Sequence, residues 1–205
     1  TGTSPIDEIT DSDNDTKIQV EETGDEDVIR FDIAGTEYFT FEDGKIGVEN
    51  SGMSVFLGDS AGLNDDLTDN RNVFVGYQAG SASTTSNKNV FLGYRAGSSM
   101  LTGWENVFVG HDAGYSATST LYNVFVGRGS GYSTTGNGNT YLGFESGAYG
   151  TTGQGNVALG LGANSLNQTG DYNVIIGYEA GKGAGFHSKD KNVFIGYRAG
   201  LNETS

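Results

Sequence analysis

One phrase, Asn-Val-Phe-Val-Gly-x-x-Ala-Gly, runs through the chain nine times, its copies beginning at Ser54, Asn72, Asn89, Asn106, Asn123, Asn139, Asn156, Asn173 and Asn192. The glycines closing its apolar run, Gly58, Gly76, Gly93, Gly110, Gly127, Gly143, Gly160, Gly177 and Gly196, are spaced by 16 to 19 residues, mostly 17. Such a period marks a repeat architecture, whose units are too small to fold alone and bury apolar surface only by stacking. Each phrase holds three strand-favouring residues, such as Val73-Phe74-Val75, bounded by Asn and Gly. Each unit therefore reads as one coil of an all-β solenoid, with two short strands and two turns. Coils paired edge to edge at about 4.8 Å per rung make a stack about 40 Å tall.

Side-chain alternation sorts the strand residues into columns. Val73, Val90, Val107, Val124, Val157, Val174 and Val193 share a face with Val75, Leu92, Val109, Val126, Leu142, Leu159, Ile176 and Ile195. The residue between them faces the other way: Phe56, Phe74, Phe91, Phe108, Phe125, Tyr141, Ala158, Ile175 and Phe194. Both faces are apolar. If one fills a thin roll, the other is a stripe of stacked Phe on its outside, of about 1,000 Å². Soluble monomers rarely tolerate such a patch, and a cyclic arrangement of copies covers it for each of them. The sequence leaves open which column meets the axis. The Asn at the head of eight copies reads as a structural ladder, and the closing Gly as a close backbone approach.

Composition narrows the alternatives. Gly is 34 of 205 residues without a Gly-X-Y period, which excludes collagen, and 11 Phe with 11 Tyr at regular spacing argue against disorder. A formal charge of −15 argues against nucleic acid or an anionic membrane as partner. With no Cys, disulfides and thiolate metal sites are impossible. No signal peptide or transmembrane run is visible, and Thr1-Gly2-Thr3-Ser4 reads as a cut start from which an export signal or anchor can have been removed. Residues 1–50 lack the repeat and are acidic; Ile18–Val20, Val28–Phe31 and Tyr38–Phe41 read as strands of a small β-meander that caps the first coil. The repeats occupy 51–200, and 201–205 is a tail.

The copies, with Asn72-Val73-Phe74-Val75-Gly76 and Ala79-Gly80 as the type, resemble the head repeats of YadA-type trimeric autotransporter adhesins. The resemblance covers residues 51–200. It implies a left-handed parallel β-roll, three of which form one head, and attachment to surfaces without naming a ligand. The chain departs from that family in its longer period and in placing Phe where the family has a small residue. The leader Ile18–Phe41 is similar to segments of bacterial and phage-like fibres.

Several residues are candidate sites. Asp11, Asp13 and Asp15 with Glu22 match much of a Ca²⁺ loop, although Thr16 stands where Gly is wanted, so the competing reading is a solvated acidic turn. Met100, Leu101 and Trp104, then Leu121 and Tyr122 one coil later, and Phe186 with His187 in the longest loop, are candidates for stacking on sugars or docking protein. Trp104 and Leu121, both eleven residues past a closing Gly, are expected to be neighbours. Tyr77, Tyr94, His111, Phe144, Tyr178 and Tyr197 make a second ladder of turn-covering aromatics, with Arg95–Asp112 and Arg128–Glu145 as weak surface pairs.

The sequence thus predicts a non-enzymatic, homotrimeric fibre or adhesin head at a bacterial cell surface, outer-membrane-anchored or fibre-borne. Its partner is a host or prey surface protein or glycan, and beyond the Ca²⁺ candidate no cofactor is called for. A purely structural stalk, with binding at a missing tip, is the alternative. An acyltransferase solenoid would need three aliphatic positions per coil, and neither His111 nor His187 sits in a constellation with an acid partner. An ice binder would need Thr rows in register, which Thr84-Thr85, Thr134-Thr135 and Thr151-Thr152 do not keep.

Overall fold

The computed structural model describes residues 8–10, 17–21, 28–33, 36–42, 45–48, 50–183 and 190–201. These form strands, bridges and turns, and the chain divides into two compact units, Thr1–Met53 and Ser54–Ser205. Among the described residues no helix is long and apolar enough to cross a membrane.

The first unit is an antiparallel meander of β1 (Glu8–Thr10), β2 (Lys17–Glu21), β3 (Val28–Ile33), β4 (Thr36–Glu42) and β5 (Lys45–Val48), paired in chain order. Its register sets Ile18 opposite Phe31 and aligns Ile29, Phe41 and Ile46 in one row. Because Ile29 and Phe31 are two residues apart, all five share a face. Phe31 and Phe41 meet edge-on at 5.9 Å, yet Ile18, Ile29, Phe41 and Ile46 stay exposed.

The second unit is a parallel solenoid of about eight turns. Its strands are β6 (Val55–Leu57), β7 (Val73–Val75), β8 (Val90–Leu92), β9 (Val107–Val109), β10 (Val124–Val126), β11 (Thr140–Leu142), β12 (Val157–Leu159), β13 (Val174–Ile176) and β14 (Val193–Ile195). They stack in chain order with like residues in register, as in Phe74↔Phe91 and Phe91↔Phe108. Among the described residues one strand forms per coil, where two were expected. On the other side pairing shrinks to the parallel bridges Asn87↔Trp104 and Trp104↔Leu121. Left-handed residues ahead of each head Asn, such as Lys88 (φ 56°), Glu105 (57°) and Tyr122 (61°), interrupt any extended run there. Backbone bonds still join the coils, Leu101 N–H donating to Thr118 O at 2.7 Å.

Of the two arrangements that alternation leaves open, the structure shows the Phe column inside, as a core column, and the aliphatic columns outside, so the stripe on the outside is aliphatic and not Phe. Phe74, Phe91, Phe108 and Phe125 are fully buried, their rings stacked at 4.8 Å between successive coils. The reason lies six residues after each ring. A Cβ at Gly80, Gly97 or Gly114 would come within 2.4–2.6 Å of the ring of Phe74, Phe91 or Phe108. The turn is thus laid directly on the aromatic, with Ala79, Ala96 and Ala113 completing the wall. The interior is one ring thick, and the flanking Val and Leu find nothing to pack on within their own coil.

One rung tests that explanation. Where Ala158 replaces the ring, the glycine six residues on is replaced as well, by Asn164 at φ 57°. With the ring gone, the buried Asn164 side chain enters beside the hydroxyl of Tyr141 on the preceding rung. Burial pushes the Tyr141 phenol up, so it stays protonated.

Polar satisfaction comes from the head Asn column. Asn89 N–H donates to Asn72 Oδ1 at 3.0 Å, Asn106 to Asn89 at 3.0 Å, and the pattern continues to Asn192 on Asn173 at 2.9 Å. Each Nδ2 from Asn72 to Asn106 spans the coil to a carbonyl, that of Asn106 reaching Thr120 O at 2.7 Å. The amide offers an acceptor along the stack and, on a separate atom, a donor across it. Ser54 starts the column, its Oγ accepting from Asn72 N–H at 2.9 Å.

Candidate functional site

Three surface features follow from this arrangement. The first is the outward strand face. Val and Leu or Ile stand in two parallel columns over all nine strands, interrupted only by Thr140. The end rungs are the most open, Leu57 and Ile195 both 65% exposed. Together the columns present on the order of 800 Å² of flat aliphatic surface, more than the largest patch of a typical monomer.

The second is the edge just past each closing Gly. Tyr77 stacks on Tyr94 at 5.3 Å and Tyr94 on His111 at 4.8 Å, while Tyr178 stacks on Tyr197 at 5.4 Å. Next to this ladder runs a mostly charged column in the left-handed conformation, with Gln78, Arg95, Asp112, Glu145, Glu179 and Arg198 and with gaps at Gly129 and Gly162. Arg95 grips Asp112 with two bonds, Nε–Oδ1 at 2.8 Å and a terminal nitrogen to Oδ2 at 3.0 Å. Its guanidinium lies 5.0 Å from the Tyr94 centroid and 4.6 Å from that of Tyr115. His111, read as lacking an acid partner, has one: its Nδ1 is 3.1 Å from Asp112 Oδ2. Lys182 beside Glu179 holds that carboxyl below its ordinary value, with Arg198 adding to the effect.

The third is a cleft of about 280 Å³ lined by Asp112, Arg128, Gly129, Tyr132, Glu145, Ala148 and Tyr149. Two interruptions of the ladders create it. Gly129 occupies the charged column between Asp112 and Glu145, leaving that rung without a side chain. Tyr115 stacks on Tyr132 at 5.0 Å, but the next rung of that column is Ala148, so the stack ends at Tyr132. Arg128 lies 5.2 Å from the Phe144 centroid and 3.8 Å from the Glu145 carboxylate. The sequence reading missed this cleft. The available signal was Gly129 beside Tyr132, a gap in a column that carries long polar side chains at Gln78, Arg95, Asp112 and Glu145 and has a second gap at Gly162.

Of the residues singled out from the sequence, Trp104 and Leu121 are neighbours as expected, joined by a parallel bridge. Leu101, Trp104 and Tyr122 are exposed, and Tyr122 N–H donates to Trp104 O at 3.2 Å. Met100 does not belong with them: it is fully buried, in the column of Ser83 and Ala117, where it fills core space and leaves nothing for a ligand. Phe186 and His187 lie outside the described residues, as do Asp11, Asp13, Asp15 and Glu22. Among the described residues no group of three or more His, Asp or Glu is placed to hold a metal.

Compared with known proteins, the chain matches no family model, no curated protein and no solved structure.

Proposed function

We propose that the chain is a segment of a trimeric surface fibre, an adhesin head of the kind its YadA-like repeats suggest, carried outside a bacterial cell and attaching it to other surfaces. In this reading the roll is left-handed, three copies surround one axis, and the aliphatic columns meet there. The observation that carries it is the uncovered aliphatic strand face. An area of about 800 Å² is what a standard interface takes from each partner. A repetitive, flat, two-column face fits best against copies of itself, because cyclic symmetry covers it in every copy at once. The meander supports the same reading, since Ile29, Phe41 and Ile46 make a second apolar β-face left uncovered within its unit.

Nothing chemical is asked of such a segment. Attachment draws on valency: three weak contacts on one rigid body gain avidity by orders of magnitude without any stronger contact. The partner is a protein or glycan of the surface it meets, with Trp104, Leu101 and Tyr122 as one exposed contact group.

The test compares beads coated with the protein and with a Val109→Asp variant, which places a charge in the proposed interface, for adherence to cultured cells, matrix proteins and immobilised glycans. Adherence of the wild type, lost in the variant together with its oligomeric state, is expected. No adherence of the wild type to any of these surfaces would overturn attachment and leave a structural stalk.

A further inference from the structure

The cleft at Gly129 is where a gap in the polar column, which recurs at Gly162, coincides with the end of the Tyr115–Tyr132 stack, and its chemistry selects a ligand class. We propose that it binds a single neutral hexopyranose unit of a glycan, the sugar ring lying on the face of Tyr132 and its hydroxyls bridging Asp112 and Glu145. Three observations carry this. The Tyr115–Tyr132 stack stops at Ala148, so an aromatic platform ends in the cleft where its own column supplies no further ring. Sugar C–H faces and aromatic faces are complementary in the same way that edge and face of two rings are.

Above and below the vacant rung stand two carboxylates, Asp112 and Glu145, two rungs or about 10 Å apart. Glu145, with Arg128 at 3.8 Å, is open to accept from paired hydroxyls, whereas Asp112, held through both oxygens by Arg95, offers only its remaining lone pairs. The charges balance, so the cleft offers fixed donors and acceptors rather than a net field. That favours a polyhydroxylated neutral ring over an ion. A volume of about 280 Å³ lies just below the range of drug-sized pockets, enough for one ring and too small for a folded partner's side-chain cluster.

The repeat itself supplies the control. Gln78, at the position equivalent to Gly129, adopts φ 54°, and a Cβ at Gly129 would meet only Glu145 Cγ, at 3.4 Å. Gly129→Gln therefore fills the cleft with a side chain the fold already accepts in that place. The inference deepens the attachment reading and rests on it for its biological meaning, but the two fail separately. A trimer that ignores pyranosides breaks this proposal alone, and a monomer that binds them breaks the trimer alone.

The experiment is saturation-transfer NMR and calorimetry with the methyl pyranosides of glucose, galactose, mannose and N-acetylglucosamine, on the full chain. Binding of at least one with Kd of the order of 1 mM is expected, with a loss of about tenfold or more in Gly129→Gln and in Tyr132→Leu. Circular dichroism establishes that the variants fold, and if one does not, the other decides. No transfer to any of the four sugars, or transfer unchanged in a folded variant, overturns the proposal.

Discussion

The coil built on Phe108 and the coil built on Ala158 solve one packing problem in two ways. In the first, a fully buried ring fills the interior, and Gly114 passes so close that a Cβ would sit 2.4 Å from it. In the second, the ring is absent and Asn164 occupies the glycine's place, its side chain buried beside the Tyr141 hydroxyl. The difference teaches that the glycine is there for a large inward side chain, a ring at most rungs and Ile175 before Gly181: both non-Gly residues and Gly adopt the left-handed conformation elsewhere in the coil, so backbone geometry alone does not demand it. It also fixes the direction of the strand, because the residue that covaries with an inward turn must itself point inward.

The comparison is broken most severely by removing the ring alone. Phe108→Ala, without a replacement for the lost volume, is expected to destabilise by about 4 kcal/mol in urea titration, the usual cost of deleting a buried aromatic. Gly114→Asn alone forces a side chain against the ring and is expected to cost about 3 kcal/mol. The double variant transplants the Ala158/Asn164 solution, and the two changes are expected to couple favourably by about 2 kcal/mol. Additive losses would mean that ring and glycine do not face each other. Next in size, Asn106→Ala removes the acceptor for Asn123 N–H and the donor to Thr120 O, and is expected to cost about 2 kcal/mol.

The smallest effect is electrostatic. Lys182, then Arg198, hold the Glu179 carboxyl below its unfolded value of 4.5. A depressed carboxyl contributes stability that is complete above the unfolded value and lost as pH falls through the folded one. Glu179→Gln is therefore expected to flatten the pH dependence of stability below about pH 5, leaving it unchanged at neutrality. A profile identical to wild type through that window would show the pairing to be idle.

Much of this fold was legible. The repeat places all nine strands of the solenoid, the Asn ladder follows from one recurring amide, and the adjacency of Trp104 and Leu121 follows from counting. What stayed open was the inside-outside assignment, because alternation says only that Phe opposes Val, and both faces are apolar. The deciding signal was present in the paired exchange of Phe for Ala158 and Gly for Asn164, but its meaning depends on a turn lying across the ring, which sequence spacing does not state. Met100 was misplaced for a related reason: its column is mostly small, and nothing local says that the coil closes over it. The cleft was invisible because it is made by two absences, the side chain at Gly129 and the ring at Ala148, in columns that meet only once the coils are stacked.

The central claim is that the aliphatic columns, with Phe turned inward, are covered by two further copies of the chain. Light scattering coupled to gel filtration tests it directly, since one chain weighs 21.5 kDa. A single species near three times that mass, about 65 kDa, that falls to the single-chain mass in Val109→Asp, is the predicted result. A wild-type species at 21.5 kDa would contradict it, leaving nine rungs of aliphatic surface open to water.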